Sequence, residues 1–173
     1  LREDQVRDAV QLSVDELRLL LDARSPSTET LVEAISNLRH RLEPRLELAN
    51  ASTSWQVDDK AESAILSAEA TLHVLRMVQE CVTNAIRHGQ ASHVGYRIFF
   101  SDSADDAELC IEISDDGCGP DAASPATRGS GAGLDNMRTR AAALGGRFDL
   151  KRVGDRTVAT IALPATSLRP APG

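Results

Sequence analysis

The feature that most constrains the fold is a change of hydrophobic period along the chain. Residues 68–88 place apolar side chains every three or four positions, as an amphipathic helix does. The next two segments, 93–100 and 108–114, alternate instead, as half-buried strands do, with only a polar turn between them. Two strands joined without a helix argue against a doubly wound sheet and favour the α+β class.

The remaining elements fit the same class. In chain order, the predicted elements besides those two strands are helices over 29–49, 68–88 and 134–144 and strands over 54–57, 147–153 and 157–164. Gly89 and the pair Gly145-Gly146 are expected to close the last two helices. We therefore expect a two-layer α/β sandwich whose mixed sheet is covered by helices on one face.

Both ends of the chain are expected to lie outside this sandwich. Residues 1–23 carry an apolar stripe at helical spacing, which suits either a helix packed on its own domain or a helix–helix seam. A Ser- and Thr-rich breaker over 24–29 is predicted to be a linker. The domain is expected over 30–164, and the tail over 165–173 is predicted to be disordered.

Composition narrows the possible functions. A net charge of −7 argues against nucleic acid as a partner held by bulk attraction. Cys81, Cys110 and Cys118 show no metal or paired spacing, which suggests reduced thiols in a cytoplasmic protein. No apolar run approaches the roughly 20 residues that cross a bilayer. Because the chain begins at Leu1, we expect a piece of a longer protein, which leaves a membrane anchor upstream open.

The first motif is ECVTNAIRHG, residues 80–89. Glu80, Asn84 and His88 are four apart, so they form one row on the helix face opposite the apolar stripe. Amide and carboxylate oxygens are hard ligands that suit Mg²⁺, and Arg87 and His88 could meet phosphate oxygens. A solvated helix face would carry the same residues, so this motif alone leaves both interpretations open.

The second motif is DDGCGP, residues 115–120. Asp115 ends an apolar strand, where its carboxylate could accept a hydrogen bond from the amine of adenine. Guanine has a carbonyl at the matching position, so this geometry would select against it. Gly117 and Gly119 would let the backbone approach a flat ring or a phosphate closely. The alternative is a simple turn after a strand.

The third motif is GSGAGL, residues 129–134, which opens the 134–144 helix. Free amides and the positive end of the helix dipole make such a start an anion site, although a flexible loop end would look similar. Together the three motifs supply a metal site, a base pocket and a phosphate cradle. The long stretch over 115–133 could close over a nucleotide.

This set resembles the nitrogen, first glycine and second glycine boxes of GHKL ATP-binding domains, which have the Bergerat fold. ECVTNAIRHG, ISDDGCGP and GAGLDNMRTRAAALGG are most similar to sensor histidine kinases that partner LuxR-type response regulators, and the resemblance covers about residues 30–164. It implies a catalytic domain that transfers the γ-phosphoryl group of Mg-ATP to a histidine. The group then passes to an aspartate of a response regulator receiver domain.

The resemblance also implies a role for each matching residue. Asn84 resembles the catalytic Mg²⁺ ligand, and Glu80 resembles its neighbour in positioning a metal or a proton. Asp115 resembles the acceptor of the adenine amine, and residues 116–132 match the ATP lid. The other positions that match ATP-binding residues are Arg87, His88, Gly117, Gly119, Gly131, Gly133, Leu134 and Thr157.

One departure from the family concerns the phosphoacceptor. In this family the phosphoacceptor helix reads His-Asp or His-Glu. That pattern is missing at His40, His73 and His93. We therefore expect the acceptor helix upstream, in the same or a partner subunit. Residues 1–23 then resemble the end of the dimerisation hairpin of a homodimeric parent. The alternatives are an ATP-binding regulatory switch or anti-sigma-type serine kinase of the same fold, and a structural domain without a ligand. A redox role of Cys118 is left undecided.

Overall fold

The order of elements matches the predicted order. The structure is a computed structural model that describes residues 29–101, 107–119 and 132–168. Its main elements are α1 (Leu31–Leu48), β1 (Ser52–Val57), α2 (Ala68–Arg87), β2 (His93–Phe100), β3 (Glu108–Asp115), α3 (Ala132–Ala143), β4 (Arg147–Val153) and β5 (Arg156–Pro164). The predicted helices and strands are therefore confirmed, with small shifts at their ends.

The strands form one mixed sheet in the order β1-β2-β3-β5-β4. β1 and β2 are parallel, with α2 in the connection between them, and the other neighbours are antiparallel. Because β5 lies between β3 and β4, Thr157 on β5 pairs with Asp115 on one side and with Arg152 on the other. This order brings the ends of three strands together at one edge of the domain.

The helices cover one face of the sheet, as predicted. Strand alternation directs Tyr96, Ile113 and Ala159 to that face, where they are buried. The helix residues in the same core cluster include Leu31, Ile35, Leu38, Leu42, Leu46, Val74, Met77, Val78, Val82, Met137 and Ala141. The opposite face is polar: Arg97 and Glu112 form an ion pair there, with 3.9 Å between Nη1 and Oε2.

Side-chain caps determine where the first two helices begin. The Thr30 hydroxyl accepts a hydrogen bond from the Glu33 amide at 3.2 Å, and the Glu33 carboxylate accepts one from the Thr30 amide at 2.7 Å. These bonds form a capping box, and the hydrogen bonds that the Glu33 carboxylate accepts from the Thr30 amide and then the Thr30 hydroxyl lower the pKa of Glu33. The Ser67 hydroxyl accepts from the Ala70 amide at 3.1 Å at the start of α2. The caps explain why both helices start close to their predicted positions.

The ends of the chain are described only in part. The predicted hairpin over 1–23 and most of the predicted linker lie outside the described residues, so both remain predictions. The start of the predicted tail is ordered: Ala165–Ser167 form a 3₁₀ turn, and the Ser167 hydroxyl donates to the Leu144 carbonyl at 3.1 Å. Within the ranges given above, no helix combines the length and apolar character needed to cross a membrane.

Candidate functional site

The polar row of α2 lies on the side of the helix away from its buried stripe. Glu80 and Asn84 are half-buried, whereas Arg87 and His88 are exposed at the end of the helix. The Asn84 amide nitrogen donates to Oε1 of Glu80 at 3.3 Å. This bond turns Oδ1 of Asn84 away from Glu80. The amide therefore presents a hard oxygen, which suits Mg²⁺ with its waters and phosphate ligands.

The start of α3 lies against this row. A Cβ atom added to Gly133 would be 3.0 Å from Oε1 of Glu80, so the absent side chain permits a close approach. Leu134 packs partly against the hydrophobic core, which leaves its backbone amide as the group that could meet a ligand. The structure thus brings the first and third motifs together, while Gly131 lies outside the described residues.

Asp115 sits at the end of β3 on the helix-covered face. Strand alternation places it with Ile113 on that face, and its Oδ1 accepts a hydrogen bond from the Gly117 amide at 2.9 Å. Partial burial raises the pKa of the Asp115 carboxyl, while the Gly117 amide and the charge of Arg152 act in the opposite direction. The second carboxylate oxygen remains free of the Gly117 bond and can accept from a ligand amine.

The end of α2 is joined to the loop after Asp115. The Cys118 amide donates to the Gly89 carbonyl at 2.9 Å, and a Cβ on Gly117 would lie 2.6 Å from the same oxygen. Gly89 follows the C-cap residue of α2, as expected, and the left-handed residue after it is Gln90, with φ of 51°. A glycine is needed at 89 because a Cβ there would lie 2.7 Å from the Ala85 carbonyl.

Asp116 has a structural contact instead of facing the site. Its Oδ1 accepts hydrogen bonds from the backbone amides of Ser92 and His93, each at 2.8 Å, and its Oδ2 accepts from the Ser92 hydroxyl at 2.5 Å. The Ser92 hydroxyl, followed by the two amides, lowers the pKa of Asp116. The two adjacent aspartates therefore have separate tasks: Asp116 anchors the start of β2, and Asp115 faces the covered side.

Arg152 was missed by the sequence analysis. Its Nη1 donates to the Gly117 carbonyl at 2.6 Å and to the Thr157 hydroxyl at 3.0 Å. Thr157 is only 6% exposed, and Gly119, with φ of 72°, lies close to both side chains. The alternation of β4 could have indicated this contact, because Arg152 falls on the same face as Phe148, where a cation is unusual.

Cys81 links the two halves of the site electrostatically. This buried thiol has a pKa raised to about 12, first by burial and then by the negative charges of Glu80 and Asp115. Both carboxylates therefore act on one atom, from the helix side and from the strand side. Cys118, by contrast, is exposed, and its thiol donates to the His88 carbonyl at 3.4 Å.

Comparison with known protein families identifies this architecture. Residues 69–167 match the family model described as histidine kinase-, DNA gyrase B- and HSP90-like ATPase. The matched segment begins in α2 and ends after β5, so it contains every candidate site residue named above. The chain belongs to this family of ATPase domains, and the expected fold and family resemblance are confirmed.

Individual relatives are sensor histidine kinases. The chain is 31% identical over 145 residues to the signal transduction histidine-protein kinase/phosphatase UhpB of Salmonella typhimurium, covering 84% of this chain and 26% of UhpB. It is 34% identical over 143 residues to the sensor histidine kinase LnrJ of Bacillus subtilis, covering 81% and 32%. The chain thus spans about a third or less of these two relatives.

A solved structure supports the fold independently. The blue-light activated histidine kinase of Erythrobacter litoralis EL346 superimposes with a TM-score of 0.67 at 21% sequence identity. The match covers 92% of this chain and 49% of that kinase. At this sequence identity the similarity establishes the shared fold only. The function has to be argued from the residues of the site.

Proposed function

We propose that this chain binds Mg-ATP and presents the γ-phosphoryl group to a histidine located upstream of it in the parent protein, as the catalytic part of a sensor histidine kinase. The observation that supports this most is the convergence of three distant motifs: Gly133 lies against Glu80, and the loop after Asp115 is bonded to the end of the same helix. The names of the relatives favour a histidine kinase over a regulatory switch or serine kinase of this fold.

The base would bind at the strand end of the site. The free oxygen of Asp115 would accept a hydrogen bond from the exocyclic amine of adenine. Thr157 lies beside Asp115 as its partner in the strand register. Gly117 and Gly119 keep the loop free of side chains, so a flat ring can approach the backbone. Guanine would place a carbonyl oxygen against the Asp115 carboxylate, so it is rejected.

The phosphates would lie at the helix end of the site. Asn84 would offer its Oδ1 to Mg²⁺, and Glu80 positions that amide by accepting a hydrogen bond from its nitrogen. When bound, Mg²⁺ would neutralise part of the phosphate charge. The amides at the start of α3, including those of Gly133 and Leu134, together with Arg87 and His88, would meet the phosphate oxygens. Gly131 is expected to join them.

The phosphoacceptor would come from elsewhere in the parent protein. The two ring nitrogens of His93 form hydrogen bonds with the hydroxyls of Ser52, at 2.9 Å, and Ser54, at 3.0 Å. Nδ1 of His40 lies 3.2 Å from Oε1 of Glu43. His73 is half-buried, and that burial lowers its pKa. These positions suit structural roles. We expect the acceptor on a dimerisation helix of the same or a partner subunit in a homodimeric parent, and an aspartate of a receiver domain as the next acceptor, in the cytoplasm.

Isothermal titration calorimetry tests the metal half of this proposal. Replacing Asn84 with alanine should weaken Mg-ATP binding by at least about tenfold while leaving ATP binding in EDTA unchanged, because the side chain acts through the cation. Asn37→Ala is a matched control, since Asn37 on α1 donates to Glu29 at 2.8 Å in a similar amide–carboxylate pair away from the site. Equal losses with and without Mg²⁺ would refute the role of Asn84.

Radiolabelled ATP tests where the acceptor lies. The 173-residue chain should bind Mg-ATP without incorporating acid-labile phosphate, because its histidines are expected to serve other roles. Adding a dimerisation hairpin from the parent protein should restore labelling of the hairpin. Acid-labile phosphate on His40, His73 or His93 of the isolated chain would show that the acceptor was assigned wrongly.

A further inference from the structure

The two halves of the proposed nucleotide site lie on segments that are distant in the chain. Glu80 and Asn84 belong to α2, whereas Asp115 and Gly117 belong to the end of β3 and the loop after it. A ligand can contact both halves at full strength only if their separation is fixed, because a displacement of about 1 Å weakens one set of contacts or the other. The contacts between these two segments therefore bear on binding as well as on folding.

On the helix side, the segment over 88–92 continues α2 and is fixed to it. The Gly89 amide donates to the Asn84 carbonyl at 3.0 Å, and the Ala91 amide donates to the Ala85 carbonyl at 3.1 Å. Ala91 is also buried. Any group that fixes this segment in place therefore fixes the position of Asn84 as well.

On the strand side, two backbone hydrogen bonds reach the same segment, and one of them is weak. The Cys118 amide donates to the Gly89 carbonyl at 2.9 Å. The Asp116 amide lies 3.4 Å from the His93 carbonyl, close to the limit for a hydrogen bond. The regular pairing of β2 with β3 ends one residue before Asp116. The backbone alone therefore connects the two segments weakly at this point.

The Asp116 carboxylate supplies the stronger connection. It accepts hydrogen bonds from the amides of Ser92 and His93, each at 2.8 Å, and from the Ser92 hydroxyl at 2.5 Å. Both of its oxygens are occupied, and a charged acceptor makes such bonds shorter and stronger than neutral ones. These three bonds join the residue between Asp115 and Gly117 to the segment that continues α2.

We propose that Asp116 is a positioning residue that fixes the distance between the base half and the metal half of the site, so that a base at Asp115 and a Mg²⁺ ion at Asn84 can belong to one nucleotide. This inference rests on the proposed function. The alternative is that Asp116 only stabilises the fold, in which case its loss weakens nucleotide binding equally with and without Mg²⁺, or not at all.

Calorimetric titrations of the whole chain with ATP, in Mg²⁺ and in EDTA, separate these roles. The quantity measured is the Mg²⁺ enhancement, which is the dissociation constant in EDTA divided by that in Mg²⁺. Asp116→Ala should lower the enhancement at least about fivefold and change the constant in EDTA by less than about twofold, because without Mg²⁺ the nucleotide does not depend on the position of Asn84. Ser92→Ala, which removes one of the three bonds, should have a smaller effect in the same direction.

Asp116→Asn separates positioning from stability. The amide oxygen of an asparagine can accept from the same two backbone amides, and its NH₂ group can donate to the Ser92 hydroxyl, so the geometry persists without the charge. This variant should lose stability at pH 7 but keep most of the enhancement. Thr30→Ala is the matched control, because it removes the cap of α1, lowers stability and leaves the contacts of Asp116 intact.

A double-mutant cycle completes the test. Adding Ser92→Ala to Asp116→Ala should lower the enhancement no further, since both changes break one network. Equal losses of affinity in Mg²⁺ and in EDTA, an unchanged enhancement in Asp116→Ala, or a similar fall in Thr30→Ala would overturn the inference while leaving the nucleotide site intact. A wild-type chain that binds no ATP, or binds it equally with and without Mg²⁺, would overturn the proposed Mg-ATP site and with it this inference.

Discussion

Replacing Asp115 with asparagine should change which base the site accepts. The substitution conserves shape and removes one negative charge. In the wild type, Oδ1 accepts from the Gly117 amide at 2.9 Å. The same amide would select the carbonyl oxygen of an asparagine, because a second N–H cannot accept a hydrogen bond. The side-chain NH₂ group would then face the base, where the carboxylate oxygen had been.

The size of the effect follows from that geometry. ATP loses a hydrogen bond to a charged acceptor, worth about 1.5–3 kcal/mol, and its amine meets another donor. Its affinity should fall by about 10- to 150-fold. ITP has a carbonyl at the same position, which accepts from the new NH₂ group, so its affinity should fall less or rise. The ATP-to-ITP affinity ratio should therefore drop by at least about tenfold.

The same substitution should not destabilise the fold. Burial raises the pKa of Asp115, which means that the ionised carboxyl is disfavoured in the folded chain. Between its ordinary and its raised pKa the folded chain binds more protons than the unfolded chain, so wild-type stability falls as pH rises through that window. An asparagine lacks this titration. Asp115→Asn should match or exceed the wild-type free energy of unfolding at pH 7.

Calorimetry with both nucleotides and thermal melts followed by circular dichroism measure these outcomes. Asp155→Asn, in the exposed turn between β4 and β5, removes the same charge away from the site and should leave both affinities within about twofold. If Asp115→Asn binds ATP as tightly as the wild type, or loses ATP and ITP affinity equally, the base-recognition argument is wrong.

Three further predictions concern the scaffold of the site. Gly117→Ala places a methyl group 2.6 Å from the Gly89 carbonyl and should lower the melting temperature by about 3–9 °C in thermal melts; an unchanged value would contradict the packing. Asp116→Asn should reduce stability at pH 7, and the difference from the wild type should shrink as pH falls from the ordinary Asp pKa of 3.8 through the lowered pKa of Asp116 in the folded chain; chemical denaturation across pH measures this, and a constant difference would refute it. Iodoacetamide should label the exposed Cys118 in the folded chain and Cys81 only after unfolding, because burial raises the pKa of Cys81 to about 12. Mass spectrometry of the labelled peptides measures the order of reaction. Labelling of Cys81 before Cys118 would contradict the prediction.

Local sequence pattern was sufficient for the elements and for part of the site. The three- to four-residue period of α2 separates its buried stripe from Glu80 and Asn84, because helix geometry alone decides which residues share a face. Strand alternation likewise places Asp115 on the covered face with Ile113. The identity of the ligand came instead from the resemblance of three motifs to one family.

Contacts between elements could not be predicted in this way. Arg152 meets Gly117 only because β5 lies between β3 and β4, an order that no local period encodes. The role of Gly89 also depends on a distant segment, since its carbonyl accepts from the Cys118 amide. Sequence predicted that Gly89 closes α2, and it does; the close approach of the Ala85 carbonyl explains why this residue is a glycine.

The most direct test of the central claim is nuclear magnetic resonance of the ¹⁵N-labelled chain titrated with Mg-ATP. If the three motifs and the late strand form one nucleotide site, the largest amide shifts should occur at Asn84, Gly117, Gly133 and Thr157. Arg97, on the uncovered face of the sheet, should shift little. Shifts confined to the uncovered face, or no shifts at millimolar Mg-ATP, would contradict the account.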